Sequence, residues 1–315
     1  MTILRTAAPI AMVFAIFTVA TAQTPAPASQ KQTTRPAVAS SWKQIPVPQL
    51  KAFHPQQPRR VELANGMVLF FQEDHELPFI NGAIRIRGGS RDEPAEKAGL
   101  AALYAESWRN GGTRTKTGDE LDDFLESRAA RVETISSVDS EFIQWSSLKT
   151  DFDSVLPVVI DLLQAPEFRK DKVELALQQL AGAVARRNDD DGEIANREST
   201  KLAYGSGNPY ARTPELYTLS AITRDDLLAW HHRTVVPNNM ILGVVGDFDS
   251  AAMERKLRDA LGGLPKRQLF ASAPIEYRSA APGIYFVGKD DVNQSEIRMV
   301  HLGIDRHSPD YYAVE

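Results

Sequence analysis

Asn65-Gly66 stands between two runs of alternating apolar residues, Val61 and Leu63 before it, and Met67, Leu69 and Phe71 after it. Asn-Gly readily supplies the left-handed backbone of a tight turn, so this stretch predicts two strands folded into a hairpin. Period-two alternation gives each strand one apolar face, and another layer must cover that face. A third strand follows, with Ile84 and Ile86 alternating against Arg85 and Arg87 up to Gly88-Gly89. The spacing then turns helical. Leu100, Leu103, Tyr104 and Trp108 predict a helix over 96–110, closed by Gly111-Gly112.

The pattern continues in blocks. "TGDELDDFLESRAA" predicts a capped helix with Leu121, Phe124 and Leu125 on one face, and "RVETISSVDSEFIQWSSLK" a strand pair turning near Val138-Asp139-Ser140. Two helices are expected over 152–163 and 170–187, divided by Pro166, and another after the "NDDDGE" turn. Ile222-Thr223 leads a helix that ends before Pro237. Met240 to Val245 is a continuous apolar run, expected to be a strand buried on both faces, and a helix with Met253, Leu257 and Leu261 in register follows it. Hairpin strands, then helices, then a returning strand and helix indicate α+β layering rather than a strict βαβ alternation. Two last strand candidates, 284–287 and 296–303, precede a helix start at "SPDYYAVE".

Outside these blocks the composition changes. Arg5 precedes an apolar run from Ala7 to Val19, and Ala20-Thr21-Ala22 forms a small-x-small site before Gln23. That is the pattern of a secretory signal peptide over 1–22, and the run is short of the ~20 residues of a membrane span. The expected location is therefore exported, periplasmic or secreted. Residues 23–58 are rich in Pro, Ala and Gln and read as a disordered linker. With a net charge of −5 the chain lacks the basic excess of a nucleic-acid surface. It has no cysteine, so disulfides, thiolate zinc sites and cysteine nucleophiles are all excluded.

The ordered blocks resemble the pitrilysin, insulysin and mitochondrial processing peptidase family of zinc metallopeptidases. The resemblance rests on "VELANGMVLFFQEDHELPF", "GGSRDEPAEKAGLAALYAESWRNGGT", "VARRNDDDGEIA", "YGSGNPYARTPE" and "ITRDDLLAWHHRTVVPNNMILGVVGDFD". It implies a two-layer α/β sandwich metallohydrolase fold, α+β in class. A peptidase-type domain would span 59–265, a linker 266–282, and the start of a second, homologous domain 283–315, cut short.

In active relatives, the resemblance implies His-x-x-Glu-His on the helix that starts at Gly99-Leu100, with a further Glu roughly 75 to 80 residues on. Residues i and i+4 share a helix face and hold zinc, while the Glu at i+3 polarises the metal-bound water. Here the two histidine positions carry Ala102 and Glu106, and the catalytic Glu position carries Ala105. A one-residue shift puts Glu106 at the catalytic position but gives Leu103 and Ser107 for the histidines. The distal ligand region is Ala181-Gly182-Ala183, without a carboxylate. The histidines are His54, His75, His231, His232, His301 and His307, and none lies between Glu76 and Trp230. The resemblance is thus to the family's catalytically degenerate members, with no catalytic residue, no metal ligand and no cofactor, zinc belonging to active relatives.

Other motifs have simpler readings. His231 and His232 are adjacent on a helix, about 100° apart, and do not form a ligand pair. His231 is read as structural and His75 as a turn residue. Asp189, Asp190 and Asp191 lack the alternating ligands of a calcium loop and read as a polar turn. Three functions remain. The first is a non-catalytic subunit that binds peptide and pairs with an active zinc peptidase homologue. The second is a stand-alone peptide-binding module. The third is an active metalloendopeptidase with an unorthodox site.

Overall fold

The hairpin at Asn65-Gly66 forms as its sequence requires. Gly66 has φ of +86°, and a Cβ there would stand 2.9 Å from Cβ of Asn238. Asn65 is buried, its side-chain amide donating to the carbonyls of Leu261 and Leu264. The strands on either side are β1 (Arg59–Glu62) and β2 (Val68–Glu73), antiparallel to each other. These positions come from a computed structural model that describes residues 52, 54–272 and 274–314. The chain divides into units Met1–His54 and Pro55–Glu315, and all described secondary structure lies in the second. The signal peptide expected over 1–22, and the linker up to residue 51, fall outside the described residues.

The remaining elements follow in blocks: β3 (Phe79–Arg87), α1 (Leu100–Asn110), α2 (Gly118–Glu126), β4 (Arg131–Ser136), β5 (Ser140–Leu148), α3 (Phe152–Gln164), α4 (Lys170–Arg186), α5 (Asp191–Tyr204), α6 (Leu216–Ser220), α7 (Arg224–Thr234), β6 (Met240–Gly246), α8 (Ser250–Leu261) and α9 (Tyr311–Val314). The six strands form one sheet in the order β1-β2-β6-β3-β5-β4. All neighbours are antiparallel except β2 and β6, which run parallel.

One face of this sheet holds the core. Leu69 and Phe71, Leu242 and Val244, Ile80 and Ile84, Ile143 and Trp145, and Val132 are all buried. Helix α8 lies against β2, α1 against β4 and α3 against β5. Each such buried side chain contributes about 1.5–3 kcal/mol relative to leaving it in water. Gly82 is a place where this face needs glycine, because the Trp145 ring lies 2.0 Å from where its Cβ would stand.

Three expectations change. β6 was expected to be buried on both faces, but its burial alternates, with Ile241 42% and Val245 40% exposed. The helices cover only one side of the sheet, so a continuous apolar run here marks one covered and one open face. Helix α1 begins at Leu100, not at residue 96. Ala95–Lys97 form a separate 3-10 turn, and Gly99 between them has φ of +101°, which an α-helix interior does not allow. The strands expected over 284–287 and 296–303 are not formed. These residues run as unpaired chain with Ile284, Phe286, Ile297 and Met299 almost fully exposed. Alternation specifies a face, but a strand needs a neighbour to accept its backbone hydrogen bonds. Part of the linker before them is tied down: the Arg278 and Ala280 N–H groups donate to the Tyr204 and Leu202 carbonyls at the end of α5.

Candidate functional site

Helix α1 is held at both ends by side chains from elsewhere. At its start the buried Glu93 carboxylate accepts from the Gly99 and Ala101 N–H groups, each at 3.0 Å, filling the role of an N-cap. At its end the Arg169 guanidinium donates to the carbonyls of Gly111, Thr113 and Lys116. Between them, Leu100, Leu103, Tyr104 and Trp108 are buried in the core. The Trp108 indole donates to the Leu162 carbonyl at 2.7 Å, and its ring lies 4.8 Å from that of Tyr104.

His231 completes this packing. Its Nδ1 lies 2.8 Å from the Tyr104 hydroxyl and its Nε2 3.0 Å from the Leu163 carbonyl. A carbonyl only accepts, so Nε2 carries the proton and Nδ1 accepts from tyrosine. Burial, with the charges of His232 and Arg267 in the same direction, lowers the His231 pKa to about 4. The residue as a whole is half-buried, but both ring nitrogens are spent on internal partners. His231 therefore joins α7 to α1 and α3, and it is not free to bind a metal. His75 lies in the turn after β2, with Nδ1 2.7 Å from Asp247. His232 is exposed on α7, and His54, His301 and His307 are exposed too.

On the outer side of α1, Ala102 and Glu106 are both exposed and Ala105 is buried. The Glu106 carboxylate accepts from the Asn110 amide at 2.9 Å, one turn further along the same face. The alternative register fails on geometry, because Leu103 and Ser107 are fully buried. Helix α4 packs against α1 and brings the distal stretch near, with Ala181 and Gly182 half-buried and Ala183 exposed. The fold thus packs the two helices that the resemblance pointed to against each other. Their donor set does not fit the metal: two helices meet with one carboxylate and no imidazole, where zinc takes about three or four protein ligands. Among the described residues, no group of three His, Cys, Asp or Glu is placed to hold a metal ion.

Sequence reasoning missed Glu141, which is fully buried on β5 among the core-facing residues. Its alternation with Ile143 and Trp145 was the available signal. Ser136 Oγ lies 3.3 Å from its Oε1, while Oε2 and the Trp230 indole nitrogen are buried without a hydrogen bond. Burial pushes the Glu141 pKa well above the usual carboxylate range, and Glu93 adds to this, while the Ser136 hydroxyl opposes it. The native state keeps a proton that the unfolded chain loses, so stability falls as pH rises from the ordinary Glu value toward the raised one. Glu141→Gln removes the titration and is expected to raise Tm at pH 8 by about 4 °C, with little gain at pH 4.5. Thermal unfolding of both forms at the two pH values checks this; an equal effect at both would remove the ionisation argument.

Comparisons with known proteins bear on the family and the fold. The family model described as insulinase, peptidase family M16, matches residues 69–207, and that described as the peptidase M16 inactive domain matches residues 221–315. A Mycobacterium leprae protein named as an uncharacterized zinc protease is 25% identical over 70% of this chain and 51% of its own length. The Helicobacter pylori non-peptidase homolog YmxG is 23% identical over 75% of this chain and 59% of its own. The chain thus spans little more than half the length of these relatives. Among solved structures, a peptidase M16 inactive domain from Pseudomonas fluorescens matches with a TM-score of 0.64 at 21% identity, over 72% of this chain and 54% of that one. The periplasmic protease PqqL of Escherichia coli matches with 0.62 at 23% identity, over 72% and 26%. These structural likenesses establish the fold, a two-layer α/β sandwich. With two family models covering most of its described length, the chain belongs to the M16, or insulinase, family of peptidases and their homologues.

Proposed function

We propose that this chain is an exported, non-catalytic M16 homologue that binds extended peptide and works beside an active zinc peptidase homologue. The observation that carries this reading is the pairing of a well-packed α1 with metal positions that hold no ligand set. Core residues of the helix are complete, while Ala102, Ala105 and Glu106 supply one carboxylate. Binding is supported by the sheet. Among the described residues β4 is its end strand, paired with β5 alone, and α1 lies against it. An extended peptide can add to such an edge through backbone hydrogen bonds, beside the small exposed Ala102. Export rests on the pattern of residues 1–22, and among the described residues no helix is long and apolar enough to cross a membrane.

The test is fluorescence anisotropy with a labelled casein peptide, with cleavage followed by mass spectrometry, in zinc and in chelator. Binding that is equal in both, with no cleavage, is expected. Ala102→Trp should weaken binding about tenfold with an unchanged Tm, since the position is exposed. Zinc-dependent cleavage would replace this reading with an active peptidase of unorthodox site. Size-exclusion with a homologue bearing His-x-x-Glu-His should give a joint peak; peptide binding without one would favour the stand-alone module.

A further inference from the structure

At one end of the sheet the chain collects cations that its own carboxylates do not neutralise. This end is built from the β1–β2 turn, the last residues of β3, the first of β6, the last turn of α7 and the loop after α8. Arg85 and Arg87 stand exposed on β3, Arg233 on α7, and Lys266 and the half-buried Arg267 on the loop. Among the described residues, none of these five has a carboxylate within salt-bridge distance, although the chain as a whole carries a net charge of −5. Acids at this end are already engaged: Glu62 with Arg60, and Asp92 and Asp139 with Arg91.

The guanidinium groups are ordered rather than merely gathered. Arg87 and Arg233 both lie on the Phe270 ring, 4.8 and 4.3 Å from its centroid. Arg87 also donates to Asn239 Oδ1 and the Phe270 carbonyl, and Arg267 to the His232 carbonyl. Stacking and these bonds fix the planes of the groups and leave other N–H donors unused, so less entropy is lost when a further acceptor arrives. Leu269 and Ile241, 39% and 42% exposed, place apolar surface beside them.

We infer that this end of the sheet binds a carboxylate-rich polypeptide segment with apolar residues between its acids. Fixed guanidinium forks match carboxylates in geometry, and exposed leucine and isoleucine match intervening apolar side chains. Nucleic acid is the weaker fit, because five cations on an acidic chain do not give the broad positive field that phosphate backbones select. The surface is separate from the edge of β4, with β5 between β3 and β4.

The test uses the full chain and a fluorescein-labelled decapeptide of alternating Glu and Leu, read by anisotropy at 20 and 300 mM salt. We expect binding at low salt, at least tenfold loss at high salt, and no binding of the Gln-Leu counterpart. Arg85 and Lys266 make no side-chain hydrogen bond in the fold, so an Arg85→Gln/Lys266→Gln double variant should keep its Tm while losing about tenfold in affinity. Arg114→Gln, exposed elsewhere, should change nothing. The inference is overturned if the Glu and Gln peptides bind alike, if Arg114→Gln weakens binding as much as the double variant, or if a ten-nucleotide DNA strand binds more tightly than the acidic peptide.

Discussion

Trp108→Ala is expected to destabilise the protein by about 3–5 kcal/mol, a large share of the 5–15 kcal/mol available to a typical domain. The ring is fully buried and lies tilted against Tyr104, with His231 edge-on 5.4 Å away. Truncation leaves a cavity between α1, α3 and α7 and orphans the Leu162 carbonyl that accepts from the indole. Glu106→Ala, two positions away, should change stability by no more than about 0.5 kcal/mol, because that side chain is exposed and bonds only Asn110. Urea unfolding of the two variants measures the contrast. Similar losses in both would mean that the outer face of α1 contributes to the fold in a way its contacts do not reveal.

A second large effect is expected from pH. In the unfolded chain the His231 ring titrates near 6.5, whereas in the native fold burial lowers its pKa to about 4. Between those values the unfolded chain binds a proton that the folded chain refuses. Stability is therefore complete above about pH 6.5, falls as pH drops toward 4, and levels off below. The loss from this group is at most about 3 kcal/mol, from the size of the shift. Tyr104, Leu163, His232 and Arg267 surround the ring with no carboxylate to hold a charged imidazole. His231→Gln retains a hydrogen-bonding side chain without the titration, and its stability should vary less between pH 6.5 and 4. An unchanged slope in that variant would assign the acid sensitivity elsewhere. Glu141 acts in the opposite sense from the ordinary Glu value upward, so across much of this window the two buried groups offset one another, and the His231→Gln comparison isolates the histidine.

The parts of this fold that were legible in sequence are those fixed by neighbours in the chain. Asn65-Gly66 marked its hairpin, Thr117 and Thr223 proved to be capping boxes, and the apolar spacing of α8 matches its buried residues. What was not legible depends on distant partners. The apolar run from Met240 to Val245 looks the same whether helices cover one face or two, and only the layer arrangement decides. Residues 284–303 alternate well enough for strands, but alternation does not say whether a neighbouring strand is present. In the candidate site, the one-residue ambiguity between the two registers of α1 was a question of which way Leu103 and Ser107 point, and burial answers it. That Ala102, Ala105 and Ala181 carry no donor side chain was readable from the sequence, because no fold turns alanine into a donor.

The position of β6 has a consequence for how the chain comes together. β2 and β3 follow one another directly, yet they are not neighbours: β6 lies between them, with Leu69 paired to Leu242 and Ile84 to the same Leu242 on the other side. During synthesis the first five strands leave the ribosome long before the strand that joins them. Until residue 246 emerges, β1–β2 and β3–β5–β4 are two separate ribbons, each exposing a raw edge and an apolar face. Contacts between such distant positions make folding slow, and exposed edges of this kind invite wrong pairing. The centre of the sheet is therefore the last piece to arrive, and the nascent chain is most vulnerable to aggregation, and most in need of a chaperone, just before it does.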